Sequence, residues 1–161
     1  MTERMIKIET TTQIDLNNIN RVIQASIMKW NLPERVKRLS LPSYFYNEED
    51  LKHLEIVVAK QANNIIGIAS WEQADSKDTP EHQSGLLLHG LYVHPDIQNQ
   101  GVGKKLLQAA ENAGRTKSAA GLLVKAQKDA IPFFLCQNFK AINIDTSENR
   151  YANLLWRSLE T

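Results

Sequence analysis

The chain predicts a single mixed α/β domain over residues 1–161: a twisted mixed sheet with helices on both faces, in the order βααβββαβαββ. Three observations carry this. Apolar runs of strand length stand at Leu54–Lys60, Ile65–Trp71, Gly85–Val93 and Leu122–Val124. Apolar residues recur at helical spacing around Ile19–Trp30 and again from Val102 to Ala113. In the second half the two kinds of segment alternate, as a mixed sheet requires.

Taken in order, Met5–Glu9 alternates and reads as the first strand. Ile19, Val22, Ile23, Ile27 and Trp30 mark a helix, with Asp15 placed to cap it. Pro33 and Pro42 bracket a short second helical piece, and Asn47 caps a third that reaches about His53. Leu54–Lys60 and Ile65–Trp71 form a hairpin around Gln61-Ala62-Asn63-Asn64, whose asparagines tolerate a left-handed turn. Gln73–Ser84 has no periodicity and is expected as a mobile loop. Gly85–Val93 is a long strand. In the next helix Val102, Leu106, Ala109, Ala110 and Ala113 line one face, and Gly114 is placed to end it. Leu122-Leu123-Val124 reads as a strand buried on both faces. Asp129 caps a helix from Ala130 to about Gln137, with Pro132 tolerated in its first turn. Ala141–Ile144 and Tyr151–Leu159 supply the closing strands.

Bulk properties exclude several classes. Nineteen basic residues against 18 acidic leave no field that calls for a nucleic acid or an anionic membrane. No apolar segment has the length of a membrane span, and Met1-Thr2-Glu3-Arg4 does not begin a signal peptide. The single cysteine, Cys136, cannot form an internal disulfide, which fits a cytoplasmic protein. Cysteine and histidine are too sparse for a zinc site, so no metal is expected. A monomer or homodimer is the expected state.

The chemistry is concentrated at Gln98-Asn99-Gln100-Gly101-Val102-Gly103, between a strand and a helix. Backbone N–H groups at a helix N-terminus converge on one point, and the helix dipole favours negative charge there. This is a pyrophosphate receptor, and its spacing says which kind. A P-loop needs glycine where Gln98 stands and Ser or Thr near Lys105, and a Rossmann fingerprint needs a third glycine where this chain has Leu106.

The pattern Gln-x-x-Gly-x-Gly resembles the acyl-CoA pyrophosphate loop of the GNAT (N-acetyltransferase) superfamily. Leu91-Tyr92-Val93-His94-Pro95 resembles the end of that family's fourth strand, and Gln98 follows Val93 at the usual interval. Lys104-Lys105-Leu106-Leu107 matches the family's helix opening, and Ala130-x-x-Phe133-Phe134 with Asn138-Phe139 resembles its Ala-x-x-Phe-Tyr…Gly-Phe segment.

The resemblance implies an acetyl-CoA-dependent N-acyltransferase acting on the primary amine of a small molecule or peptide, by direct attack in a ternary complex. The pantothenate arm would pair with the backbone of Leu91 and Val93. The pyrophosphate would rest on the amides of Asn99, Gln100, Gly101, Val102, Gly103 and Lys104. Tyr92 counts with Leu91 and Val93 in the cofactor-binding strand end, but its side chain points the other way and reads as packed rather than catalytic. Gln127 stands where the family often has a cofactor-touching asparagine; a solvated loop residue is the equal alternative. Of the basic residues Lys104, Lys105, Arg115, Lys117, Lys125 and Lys128, Lys104 is the one placed to meet the 3′-phosphate of CoA.

The reaction needs a deprotonated amine, a stabilised oxyanion and a proton for the thiolate. The backbone N–H near Leu91 is the expected oxyanion donor. The family's usual glutamate on the fourth strand is replaced by Leu87, which cannot take a proton. His89, on the same face, and Glu72, past the third strand, are the candidate bases. Phe134 stands where the family usually has a tyrosine beside the sulfur, so that proton donor is missing. Cys136 reads as core or as a residue behind the site, not as a nucleophile. Trp30, Tyr44, Phe45 and Tyr46 either line an acceptor pocket or pack together, with packing the simpler account. A CoA-binding module of the same fold with little transferase activity is the alternative, and a non-catalytic interaction domain is a third reading.

Overall fold

The computed structural model describes residues 5–11, 15–97, 100–142 and 153–159. It is a mixed α/β fold. The elements are β1 (Ile6–Thr10), α1 (Leu16–Ile27), α2 (Glu34–Tyr44), α3 (Glu48–His53), β2 (Glu55–Gln61), β3 (Asn64–Gln73), β4 (Gly85–Val93), α4 (Val102–Thr116), β5 (Gly121–Lys125), α5 (Ile131–Cys136), β6 (Lys140–Ala141) and β7 (Leu154–Ser158). This is the expected order with the Asn47-capped piece counted as a full helix. The strands are hydrogen-bonded in the order β1-β2-β3-β4-β5-β7-β6. β4 and β5 run parallel, while β1–β2, β5–β7 and β6–β7 are antiparallel.

The chain packs as two compact units. One comprises Met1–Ser70 and Gly90–Ala109. Its core is built by α1, whose Ile19, Val22, Ile23 and Ile27 recur every three to four residues and are buried against Ile56, Val58, Ile68, Tyr46 and Tyr92. Asn47 caps α3 as expected: its side-chain oxygen accepts from the Asp50 N–H at 3.0 Å, and its own N–H donates to Asp50 Oδ2 at 2.9 Å. The hairpin turn also stands as read, with Ala62 and Asn63 at φ 51° and 68°.

Two boundaries in this unit are corrected. Asp15 makes no side-chain cap of α1; its carboxylate accepts from the Thr11 hydroxyl at 3.1 Å. Pro42 lies inside α2, which continues to Tyr44. Its missing N–H would have bonded to the carbonyl of Arg38, on a stretch of helix where both residues are exposed.

Lys37 holds the end of α1. Its ammonium is buried and donates to the carbonyls of Met28 at 2.7 Å and Trp30 at 3.2 Å, with Glu34 Oε1 at 3.0 Å. The charge neutralises the carbonyl end of a helix whose last turn has no basic residue of its own. Lys37→Ala is expected to cost about 2 to 3 kcal/mol in urea denaturation, because carbonyls bonded to a charge are left without it. Glu34→Gln, at an exposed carboxylate, should change stability by less than about 0.5 kcal/mol.

The second unit comprises Trp71–His89 and Ala110–Thr161. β5 is buried from Gly121 to Val124, as its unbroken apolar run implies. Leu123 and Trp156 face each other across the β5–β7 ladder in a core with Ala74 and Leu154. Three expectations change here. Gln73–Ser84 is no structureless loop: two 3₁₀ turns, Ser76–Asp78 and Pro80–His82, gather around buried Thr79, whose hydroxyl lies 2.9 Å from the Ser76 carbonyl and 2.6 Å from that of Gln83. Gly114 does not end α4, which runs on to Thr116 and closes with Ser118 at φ 58°. Gly114 serves packing instead, since a Cβ there would fall 2.6 Å from Leu159 Cδ1. Asp129 belongs to a 3₁₀ turn, Lys128–Ala130, and does not cap α5. The closing strands are shorter where described, and residues 143–152 of the expected Ala141–Ile144 and Tyr151–Leu159 lie outside the described residues.

Candidate active site

The first unit contains the glycine loop and the strand that leads into it. β4 pairs with β5 from Gly85↔Gly121 to Leu88↔Val124, and the register ends there. Residues Leu91, Tyr92 and Val93 therefore run beyond the β4–β5 ladder. Burial along the strand alternates: Leu86, Leu88 and Tyr92 are buried, while Leu87, His89, Leu91 and Val93 on the other face are partly or fully exposed. Tyr92 is thus a packing residue, as its place between Leu91 and Val93 implies. Burial raises its phenol well above the ordinary tyrosine value.

After β4 the chain is tied down by the His94 N–H, which donates to the Ile66 carbonyl at 2.8 Å, and by a 3₁₀ turn at Pro95–Ile97. Gln98 and Asn99 lie outside the described residues. Gln100 and Gly101 are exposed, and Gly101 has φ +79°. The Gly101 carbonyl accepts from the Lys105 N–H at 3.1 Å, which makes Gly101 the cap residue of α4. The N–H groups of Val102, Gly103 and Lys104 therefore belong to a first turn with no intrahelical acceptors. The Val102 side chain is buried, which fixes that turn, while Lys104 projects into solvent. No atom lies within 4 Å of the point where a Gly101 Cβ would stand.

One feature of this unit is invisible in the sequence. The Tyr46 hydroxyl is hydrogen-bonded to that of Ser70, and both residues are buried. They sit against Gly90: a Cβ there would lie 2.6 Å from Tyr46 Oη and 2.8 Å from Tyr92 Cε2. Glycine is required at the point where β4 passes the end of its ladder with β5. Burial pushes the Tyr46 phenol up to about 12, partly offset by its bond to Ser70, so it stays neutral. Tyr46 is core, and Trp30 packs edge-to-face on Tyr44 at 5.3 Å, so packing accounts for much of that aromatic group.

In the second unit the two candidate bases come together. His89 Nδ1 lies 3.4 Å from Glu72 Oε2, with both side chains partly exposed. A carboxylate beside Nδ1 favours the imidazole tautomer that carries its proton on that nitrogen. Phe134 is buried between Phe133 and Phe139, with ring centroids 5.2 Å away on each side. Asn138, where the family has glycine, takes the left-handed conformation at φ 70°. Gln127 is exposed at the start of the 3₁₀ turn before α5. Cys136 is exposed, which corrects its reading as core: α5 is one and a half turns long and directs only Phe134 fully inward. Arg115 is engaged by Glu111 at 3.0 Å and the Leu159 carbonyl at 2.8 Å, and so is not a phosphate ligand in waiting. Among the described residues no group of three His, Cys, Asp or Glu side chains is arranged to hold a metal ion, and no helix is long and apolar enough to cross a membrane.

A family model described as an acetyltransferase (GNAT) domain matches residues 31–154. No curated protein sequence matches the chain. Solved structures do. A PaiA N-acetyltransferase from Thermoplasma acidophilum, in complex with coenzyme A, superposes with a TM-score of 0.74 at 16% identity, over 96% of this chain and 99% of that one. A GCN5-related N-acetyltransferase from Rhodopseudomonas palustris gives 0.75 at 20% identity, covering 98% of each chain. A GNAT-family acetyltransferase from Staphylococcus aureus gives 0.69 at 16% identity, over 97% of this chain and 100% of that one. At these identities the likeness is one of fold.

Proposed function

Since the chain belongs to the GNAT acetyltransferase family, we propose that it moves an acetyl group from acetyl-CoA to a primary amine by direct attack. The observation that carries this reading is the run from Leu91 to Lys104. A strand edge beyond its ladder leads into an open, glycine-capped helix N-terminus. An extended pantothenate arm pairs with the Leu91 and Val93 backbone, as a peptide adds to a sheet edge. The pyrophosphate takes the first-turn amides up to Lys104, together with Gln98, Asn99 and Gln100, and Lys104 meets the 3′-phosphate. Gln127 and Phe134 are carried over as cofactor contacts from the family resemblance.

Most alkylammonium groups, with pKa near 10.4, are protonated at neutral pH and cannot attack. His89, held by Glu72, takes that proton at Nε2, and the Leu91 N–H receives the developing oxyanion. The CoA thiolate leaves without help from residue 134, because a phenylalanine has no proton to give. His89→Ala should lower kcat/KM by about 10² to 10³ and flatten the acid limb of the pH profile, with acetyl-CoA affinity unchanged. Glu72→Gln should give a smaller loss of the same kind.

The tests are calorimetric titration with acetyl-CoA and thiol release across a panel of amines. Absence of binding at high micromolar acetyl-CoA refutes the whole reading. The phenyl rings of Phe133 and Phe139 beside Phe134 supply no proton, which favours one alternative, a CoA-binding module with little transferase activity. Binding without turnover on any amine would establish that alternative.

A further inference from the structure

A second concavity in the first unit takes no part in the proposed reaction. It holds about 330 Å³ between α1, the β2–β3 hairpin and the 3₁₀ turn after β4. That volume is at the lower end for small-molecule sites and too small for a whole coenzyme. Part of its lining is apolar. Val22 and Ile66 are buried in the core, and Ile65 and Ile97 are partly exposed. Its walls are tied together without a ligand. The His94 N–H donates to the Ile66 carbonyl at 2.8 Å, and the Ile97 N–H donates to the His94 carbonyl at 2.9 Å.

The rest of the lining is polar and unengaged. The side chains of Asn18, Arg21, Asn63 and Asn64 make no polar contact with another described residue. Arg21 carries the one permanent positive charge among the lining residues. Its guanidinium is a planar fork that grips a carboxylate through two parallel bonds. Asp96, in the same lining, disfavours a doubly charged phosphate. A short hydrocarbon chain suits the four apolar residues. We propose that this concavity binds a small aliphatic monocarboxylate. Its carboxylate sits on Arg21, its chain lies on Val22, Ile65, Ile66 and Ile97, and the asparagine amides close over its polar end. The site is independent of the acetyl-CoA reading.

Titration of the isotope-labelled full chain with sodium isovalerate, followed by the amide spectrum, is the test. Isovalerate should bind at about 1 mM or tighter and shift the amides of Val22, Asn64, Ile66 and Ile97. Acetate lacks the hydrocarbon and isovaleramide lacks the charge, so each should bind at least about tenfold more weakly. Arg21→Gln, at an exposed position, should weaken isovalerate binding by at least about tenfold with an unchanged thermal melt. Saturating acetyl-CoA and inorganic phosphate should each leave isovalerate in place. Amides that stay unshifted at tens of millimolar isovalerate overturn the proposal. So does isovaleramide binding as well as isovalerate, Arg21→Gln binding like wild type, or displacement by phosphate or acetyl-CoA.

Discussion

Gly101→Asp is expected to weaken acetyl-CoA binding about 100-fold, or roughly 2.7 kcal/mol, while leaving the protein folded. The two halves of this expectation rest on different facts. Nothing lies within 4 Å of the position a Cβ would take, so the added side chain displaces no packing. The backbone at φ +79° disfavours most side chains by about 1 to 2 kcal/mol, but aspartate is among the most tolerant there. As a helix cap aspartate gains only a few tenths of a kcal/mol over glycine, so it offsets little of the strain. Stability should therefore fall by about 1 to 2 kcal/mol at most. Binding should not survive so well. The carboxylate occupies the amides meant for the pyrophosphate and adds a like charge, a repulsion of about 4 kcal/mol at 4 Å before exposure and salt weaken it. Gly101→Asn is the control, with similar backbone tolerance and no charge, and it should bind far better than the aspartate variant. Calorimetric titration beside a thermal melt reads both quantities. Equal affinities for wild type and Gly101→Asp would remove this loop from the site.

Gly90→Val should cost about 3 kcal/mol of stability and abolish acetyl-CoA binding in the same variant. The new Cβ would meet Tyr46 Oη at 2.6 Å and Tyr92 Cε2 at 2.8 Å. Neither neighbour has room to retreat: both tyrosines are buried in one core, and the Tyr46 hydroxyl is held by Ser70. The strand must move instead, and the next residue along it is Leu91. Removing the obstructing oxygen should relieve part of the strain. Gly90→Ala combined with Tyr46→Phe should be more stable than the sum of the two single changes, by at least about 0.5 kcal/mol in urea denaturation. Strict additivity would show that the hydroxyl does not set the strand's position.

What the sequence made legible follows from the range of the interactions involved. The Asn47 cap and the Ala62-Asn63 turn are local, and each was readable because its partners lie within a few residues. Pro42 and Asp129 were misread for the same reason: a proline near the end of an exposed helix loses little, and an aspartate has local competitors for its hydrogen bonds. Gly114 looked like a helix stop, yet its role is fixed by Leu159, far along the chain. Thr79 gave no sign that it would organise the segment around it. Nor could spacing show that Tyr46 and Ser70 meet under Gly90, or that Glu72 and His89 stand 3.4 Å apart. The second pairing joins neighbouring strands and the first joins an interhelical loop to a strand, and sequence distance encodes neither.

The interleaving of the two compact units has a consequence for how such a protein can be inherited. Chain order runs from the first unit into the second at residue 71, back at residue 90, and across again at residue 110. No single cut, and no single recombination event, delivers either unit whole. A fragment ending before β4 lacks the strand end and loop that the first unit needs, and one beginning after it lacks β4's opening residues in the second. Neither half is a portable module.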